Sequence, residues 1–313
     1  MTGFAALRRL AAAVAAVLCV PGALAQTAPV RETLQHGGHA RTFLMQVPRG
    51  GAAAVPLVIL LHGGTQDAER IWSRTRWPDV AAREGVLLVA PDAVDGNWND
   101  GRRVYLSGGD PSAIDDVGFL SELVGSLVAR HRADPGRVYV TGASNGGAMA
   151  WRFACERSEM VTAIAPVIAT MLSDPDRRCR ASRPVAVLAI FGTADPLMPF
   201  DGSPVRTRTG QMSEPRLSAA ASVQWWAQRN GCGTAPVAED LPDKVATDGS
   251  TVRRFVYPGC PANADAIRID VLGGGHTWPG GRAGWLQKQV LGPTNRDIDA
   301  AETAWNFFRE RRR

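Results

Sequence analysis

The chain has 313 residues, 45% of them hydrophobic, and a formal net charge of +5. That length and apolar content suit a folded chain with one sizeable core and exclude a disordered one. The positive excess is mild and no basic run interleaves with aromatics, so the composition argues against a nucleic-acid binder. The arginine-rich tail, Arg309 to Arg313, reads as a solvated helix end.

In chain order, Arg8 and Arg9 precede an apolar run from Leu10 to Val20, and Ala23-Leu24-Ala25 matches a small-residue cleavage site. Together they read as a secretory signal peptide over residues 1–25, with a mature start at Gln26. The run is too short to span a bilayer, so no membrane anchor is expected. An exported protein follows, extracellular or periplasmic.

Beyond the leader, short apolar β-branched runs alternate with helical patterns. This is the signature of an α/β domain with a mostly parallel sheet and helices on both faces. Strands are expected at Thr42–Val47 (an edge strand after a possible hairpin at Gly37-Gly38), Leu57–Leu61, Val86–Ala90, Val138–Thr141, Val161–Ala165, Val185–Phe191 and Ala266–Leu272. Helices are expected at Glu69–Arg83, Ala113–Arg132, Asn145–Arg157, Pro215–Asn230 and Ile298–Arg309. Asp115 and Asp116 fall in the first turn of the second helix, where carboxylates favour the dipole. Two stretches lack regular periodicity, Val94–Ser112 and Pro196–Glu214. Both leave the carboxyl ends of strands, where open α/β sheets build their sites, and both are expected to wall a cleft. No repeat, linker or second domain is visible, so residues 26–313 read as one domain.

Of five cysteines, Cys19 lies in the leader. Cys155, Cys179, Cys232 and Cys260 remain, an even number in an oxidising compartment, and read as two disulfides. Three connectivities are open. No C-x-x-C or neighbouring histidine suggests a metal site, and no phosphate-binding loop or nicotinamide fingerprint implies a cofactor.

The densest chemistry lies at Gly142-Ala143-Ser144-Asn145-Gly146. A β-branched strand leads in and a small-residue helix leads out, the context of a nucleophile elbow. Ser144 is the expected nucleophile. In this architecture an acid and then a histidine follow the serine in the chain. The mature chain has five histidines. His36 and His39 sit in the N-terminal hairpin, His62 precedes the serine, and His131 ends a helix between arginines. His276 alone follows, in a glycine-rich loop directly after a strand, and is the expected base. Asp195, leaving the strand through Phe191-Gly192-Thr193-Ala194, is the expected orienter, with Asp201 in reserve; Asp92, before the serine, reads as structural. The oxyanion is expected to meet the amide of Asn145 and a second amide from the loop after Leu57–Leu61, from Gly64 or else Thr65. His62 reads as a brace of that loop. Trp98, Tyr105, Trp278 and Trp285 are candidates to line an acyl or aryl pocket. At least one of Trp225 and Trp226 reads as core.

These residues carry a resemblance. Leu60-Leu-His-Gly-Gly-Thr-Gln-Asp67, Ile114-Asp-Asp-Val-Gly-Phe-Leu120, Gly142-Ala-Ser-Asn-Gly-Gly147, Phe191-Gly-Thr-Ala-Asp-Pro196, Trp226-Ala-Gln-Arg-Asn-Gly-Cys232 and Gly273-Gly-Gly-His-Thr-Trp-Pro-Gly280 span nearly the whole domain in order. The chain thereby resembles the polyhydroxybutyrate depolymerase and feruloyl esterase-like group of secreted α/β-hydrolase serine esterases. The resemblance implies a Ser144–Asp195–His276 triad and disulfides of the sequential kind, Cys155–Cys179 and Cys232–Cys260. The chain departs from the pattern at Gly64, where many relatives carry cysteine, which bears on the bracing of that loop and not on the chemistry. With no linker or adsorption domain in view, the expected substrates are soluble esters: hydroxyalkanoate oligomers, hydroxycinnamate esters or short acyl esters. Two other readings stand beside this one. A prolyl-oligopeptidase-like peptidase uses the same fold and triad but normally adds a propeller or cap. A noncatalytic binding module on a hydrolase scaffold usually loses a triad member.

Overall fold

The computed structural model describes Met1 and residues 28–50, 53–105, 113–282 and 289–313. The rest of the expected leader, residues 106–112 of the first insertion, and Trp285 lie outside the described residues.

Ten strands form one sheet: β1 (Val30–His36), β2 (His39–Gln46), β3 (Val55–Leu61), β4 (Leu87–Pro91), β5 (Ala133–Ala143), β6 (Ala163–Val167), β7 (Ala186–Gly192), β8 (Val237–Asp240), β9 (Thr251–Val256) and β10 (Ala266–Leu272). Their order is β1-β2-β4-β3-β5-β6-β7-β10-β9-β8. The six central strands, β4 to β10, run parallel, and antiparallel hairpins close each edge. The chain steps from β3 out to β4 and returns on the other side of β3 as β5. That reversal opens a crevice at the carboxyl ends of β3 and β5, the place where such sheets bind ligands.

Among the described residues the named helices are α1 (Ala68–Arg74), α2 (Trp77–Glu84), α3 (Asp116–His131), α4 (Asn145–Glu156), α5 (Pro175–Arg178), α6 (Ala219–Arg229) and α7 (Ala300–Phe308). Alternation along the buried strands feeds two cores. Leu57, Ile59 and Leu61 of β3 join Val138 and Val140 of β5 under α3, α4 and α6. Val58 and Leu60, with Tyr139, face α1, α2 and α7 on the other side. Because both faces are covered, β3, β4, β6 and β7 are apolar without interruption.

The expected helix over Glu69–Arg83 is two helices. Thr75 is extended, and Pro78 sits in the first turn of α2, where its missing N–H costs nothing. Three of the other helices begin at side-chain caps: Asp115 accepts from Gly118 N–H, Ser218 from Ala221 N–H, and Asp299 from Ala301 and Glu302 N–H. Asp115 therefore takes the capping role. Asp116 is instead fully buried, its carboxylate 2.6 Å from Arg41 and accepting from Asn99 N–H at 2.7 Å. The two disulfides are Cys155–Cys179, tying the end of α4 to the end of α5, and Cys232–Cys260, tying the turn after α6 to the β9–β10 connection. Trp226 is core, whereas Trp225 is half-buried and donates to Asp176.

Candidate active site

β5 delivers Ser144 at φ 55°, ψ −117°, a backbone conformation that costs a non-glycine residue free energy. The surroundings hold it there. Ser144 N–H donates to Val167 O at 2.9 Å, and Ser144 O accepts from Ala148 N–H at 2.8 Å. The end of β3 passes directly against this turn. A Cβ on Gly146 would lie 2.4 Å from the carbonyl oxygens of both Leu61 and His62, and one on Gly142 would lie 2.7 Å from Leu61 O. Glycine is required at both positions because backbone occupies the space a side chain would need.

Asp195 leaves the carboxyl end of β7 and is buried. One carboxylate oxygen accepts from the amides of Leu197 and Met198, each at 2.8 Å. The other lies 2.6 Å from His276 Nδ1. Two amides thus orient the carboxylate so that its free oxygen meets the imidazole. The contact places the proton on Nδ1 and leaves Nε2 with its lone pair. His276 is itself anchored by its amide, which donates to Leu291 O at 2.6 Å. Asp201, the reserve, is exposed and caps its own turn through Ser203. Asp92 is structural, accepting from Ala68 N–H, Thr42 and Arg31.

The loop after β3 is the expected source of the second amide. Thr65 is set aside as that donor: its N–H is committed to Gly96 O at 2.8 Å. The amides of Gly64 and Asn145 donate to no protein acceptor among the described residues. His62 braces this loop as expected. Its Nε2 accepts from Ala93 N–H at 3.0 Å and its Nδ1 donates to Gly63 O at 2.8 Å. Burial pushes its pKa below the ordinary value of 6.5, which keeps it neutral and able to accept.

Ser144, Asn145, Gly64, Thr65 and His276 open onto one cleft of about 500 Å³. Both expected insertions wall it, through Asn97 and Tyr105 on one side and Leu197 and Val205 on the other. Tyr105 and Trp278 line it as expected. Trp98 does not, which corrects the sequence reading. It is fully buried, its indole N–H donates to His62 O at 3.0 Å, and it packs 5.1 Å from the His62 ring. It buttresses the loop from behind.

The sequence is similar to known proteins over most of its length. The family model described as "Esterase PHB depolymerase" matches residues 42–210. The chain is 32% identical over 279 residues to "Putative esterase NocK" of Nocardia uniformis subsp. tsuyamanensis, covering 87% of this chain and 80% of that one. The chain belongs to the esterase PHB depolymerase family. It is 25% identical to "Feruloyl esterase B" of Piromyces equi over 78% of this chain, but spans only 44% of that relative's length. Among solved structures, the acetyl xylan esterase from Aspergillus awamori superposes with a TM-score of 0.56 at 15% identity, covering 79% of this chain and 94% of that one. That likeness shows the α/β-hydrolase fold. The chain is accordingly an ester hydrolase.

Behind the nucleophile, this esterase carries a buried polar network that the sequence reading missed. The Asn145 side chain accepts from Trp98 N–H at 2.7 Å and donates to Trp98 O at 3.0 Å and to Asp100 at 3.1 Å. Asp100, fully buried, pairs with Arg102 and lies 3.8 Å from Arg216. Burial raises the Asp100 pKa, but the two guanidiniums outweigh it and hold the carboxyl below its usual range. Arg216 is pushed down to about 10 by burial and by Arg102. Charged residues spaced two apart in an irregular loop gave no signal of burial. The network fixes Asn145, whose amide is the expected first oxyanion donor, to the cleft wall.

Proposed function

We propose that this family member is an exported serine carboxylesterase acting on soluble esters through an acyl-enzyme. Ser144 is the nucleophile, His276 the base and Asp195 its orienter. The observation that carries this reading is the Asp195–His276 contact at 2.6 Å, opening with the strained Ser144 onto one cleft. His276 Nε2 takes the proton from Ser144 as the hydroxyl attacks the ester carbonyl, and Asp195 stabilises the imidazolium that forms. The amides of Gly64 and Asn145 receive the oxyanion. The imidazolium then protonates the leaving alcohol. Water, deprotonated by His276, attacks the acyl-enzyme and releases the acid.

Export is supported by the leader pattern of residues 1–25 and by the two disulfides, which persist in oxidising compartments. Among the described residues no helix is long and apolar enough to cross a membrane. Residues 26–313 form the catalytic domain in this reading. The substrates are hydroxyalkanoate oligomers, hydroxycinnamate esters or short acyl esters, held against Tyr105 and Trp278.

The test is hydrolysis of p-nitrophenyl butyrate, methyl ferulate and a 3-hydroxybutyrate trimer by the mature protein and by Ser144→Ala, with fluorophosphonate labelling of both. Turnover and labelling lost together in the variant support the assignment. A wild type that neither labels nor cleaves any of the three overturns it.

A further inference from the structure

The active-site cleft has a one-sided charge. Arg74, Arg102, Arg206 and Arg208 all line it, and among the described residues no aspartate or glutamate does. Arg102 is neutralised from behind by Asp100. Arg206 and Arg208 are different. They stand on a small hairpin in the second insertion, exposed and two residues apart. The hairpin is firmly built: Thr207 N–H donates to Gln211 O at 2.7 Å, Ser213 N–H to Val205 O at 2.8 Å, and Val205 N–H to Ser213 Oγ at 3.0 Å. Thr207, between the arginines, is buried, whereas Arg206, at the end of the hairpin's strand, and Arg208, in its turn, both line the cleft. Arg206 spends one N–H on Gly210 O at 2.7 Å, and neither guanidinium has an ion-pair partner among the described residues.

We propose that Arg206 and Arg208 form a carboxylate subsite, so that the preferred substrates are esters carrying a free carboxylate at a distance from the scissile bond. The inference rests on the hydrolase reading above and names the substrate class of that same site. A guanidinium fork matches a carboxylate in two parallel hydrogen bonds. A cleft lined by one sign of charge also steers oppositely charged ligands towards it. The ester itself stays at Ser144, beside Ile168 and Trp278, while the anionic end sits under the hairpin. A carboxylate bound this way makes the same contacts in the ground state and the transition state, so its effect falls on KM rather than kcat.

The experiment compares two substrate pairs that differ in charge. The mono-p-nitrophenyl ester of adipate against p-nitrophenyl heptanoate places the carboxylate on the acyl side. 3-Butyryloxybutyrate against its carboxamide places it on the alcohol side. For each pair the ratio of kcat/KM, anionic over neutral, is measured for wild type and for the Arg206→Gln/Arg208→Gln double variant. At least one ratio is expected to fall about tenfold in the variant, through KM, and Arg206→Lys/Arg208→Lys is expected to restore part of it. The wild-type ratio is also expected to shrink as salt is raised to about 0.3 M, a dependence that a merely structural role for the hairpin would not produce. If both ratios stay unchanged while the neutral esters are still cleaved, the subsite is wrong and the hydrolase reading survives. If the wild type cleaves neither neutral ester, the hydrolase reading fails and takes the subsite with it.

Discussion

At the scale of single residues, the site depends on a few contacts that carry unequal weight. Asp195 is held by two amides and meets His276 at 2.6 Å, so Asp195→Asn keeps the shape but reverses the proton preference of the imidazole. In Asp195→Asn and in Ser144→Ala, kcat/KM for p-nitrophenyl butyrate is expected to fall on the order of 10³–10⁴-fold. A loss under tenfold in either would remove that residue from the mechanism. His62 acts at one remove, by fixing the loop that presents the Gly64 amide. An oxyanion donor stabilises the transition state more than the bound ester. His62→Ala is therefore expected to lower kcat roughly tenfold while KM moves little, and a change confined to KM would argue that the loop shapes the pocket only. Trp98 shows where residue-level reading ran out. An aromatic in a glycine- and asparagine-rich loop looks like a pocket wall, yet its indole N–H needed a buried acceptor and found His62 O. Only the chain path of β3 reveals that partner.

At the scale of elements, the elbow and its neighbours make one packed unit. The carbonyls of Leu61 and His62 already occupy the space a Cβ at Gly146 would need, 2.4 Å away. Gly146→Ala must push β3 away from α4, and overpacking of this kind costs about 1–3 kcal/mol or more. It is expected to lower the melting temperature and abolish labelling of Ser144 together; a variant that melts like wild type and labels normally would show that the elbow yields. The same elbow was legible in the sequence because its glycines, strand and helix are all local. So were β3, β4, β6 and β7, whose unbroken apolar runs follow from burial on both faces. What stayed unread shares a cause. β1 and β8 are the edge strands and β9 lies next to β8; β8 is exposed throughout and β9 carries Arg253 and Arg254, so neither shows an apolar period. The split between α1 and α2 turns on one proline, which a periodicity spanning both helices hides. The disulfide Cys155–Cys179 closes a separation of 24 residues, and joining such a loop stabilises the fold by roughly 3 kcal/mol on the chain-entropy estimate. A Cys155→Ala/Cys179→Ala variant is expected to lose about that much in urea denaturation, and an unshifted midpoint would count against it.

At the scale of the whole molecule, stability should depend on pH through two buried groups of opposite sign. Asp270 lies on β10 inside the sheet, almost fully buried. Burial raises its pKa to about 6 from 3.8, and Arg268 on the same strand and Arg253 on β9 only partly offset the effect. The folded state therefore binds the proton more tightly than the unfolded one. Stability is greatest below about pH 4 on this account, falls as pH rises to about 6, and stays reduced above it, by at most about 3 kcal/mol. His62 works the other way. Its folded pKa lies below 6.5, so its contribution is present above that value and is lost as pH falls through it. Asp270→Asn keeps the shape of the protonated acid and removes the first limb. The variant is expected to melt close to wild type at pH 4 and several degrees above it at pH 7, the gap opening between about pH 4 and 6. A constant difference between the two proteins across this range would show that Asp270 is ionised in the folded state and that Arg268 compensates its burial.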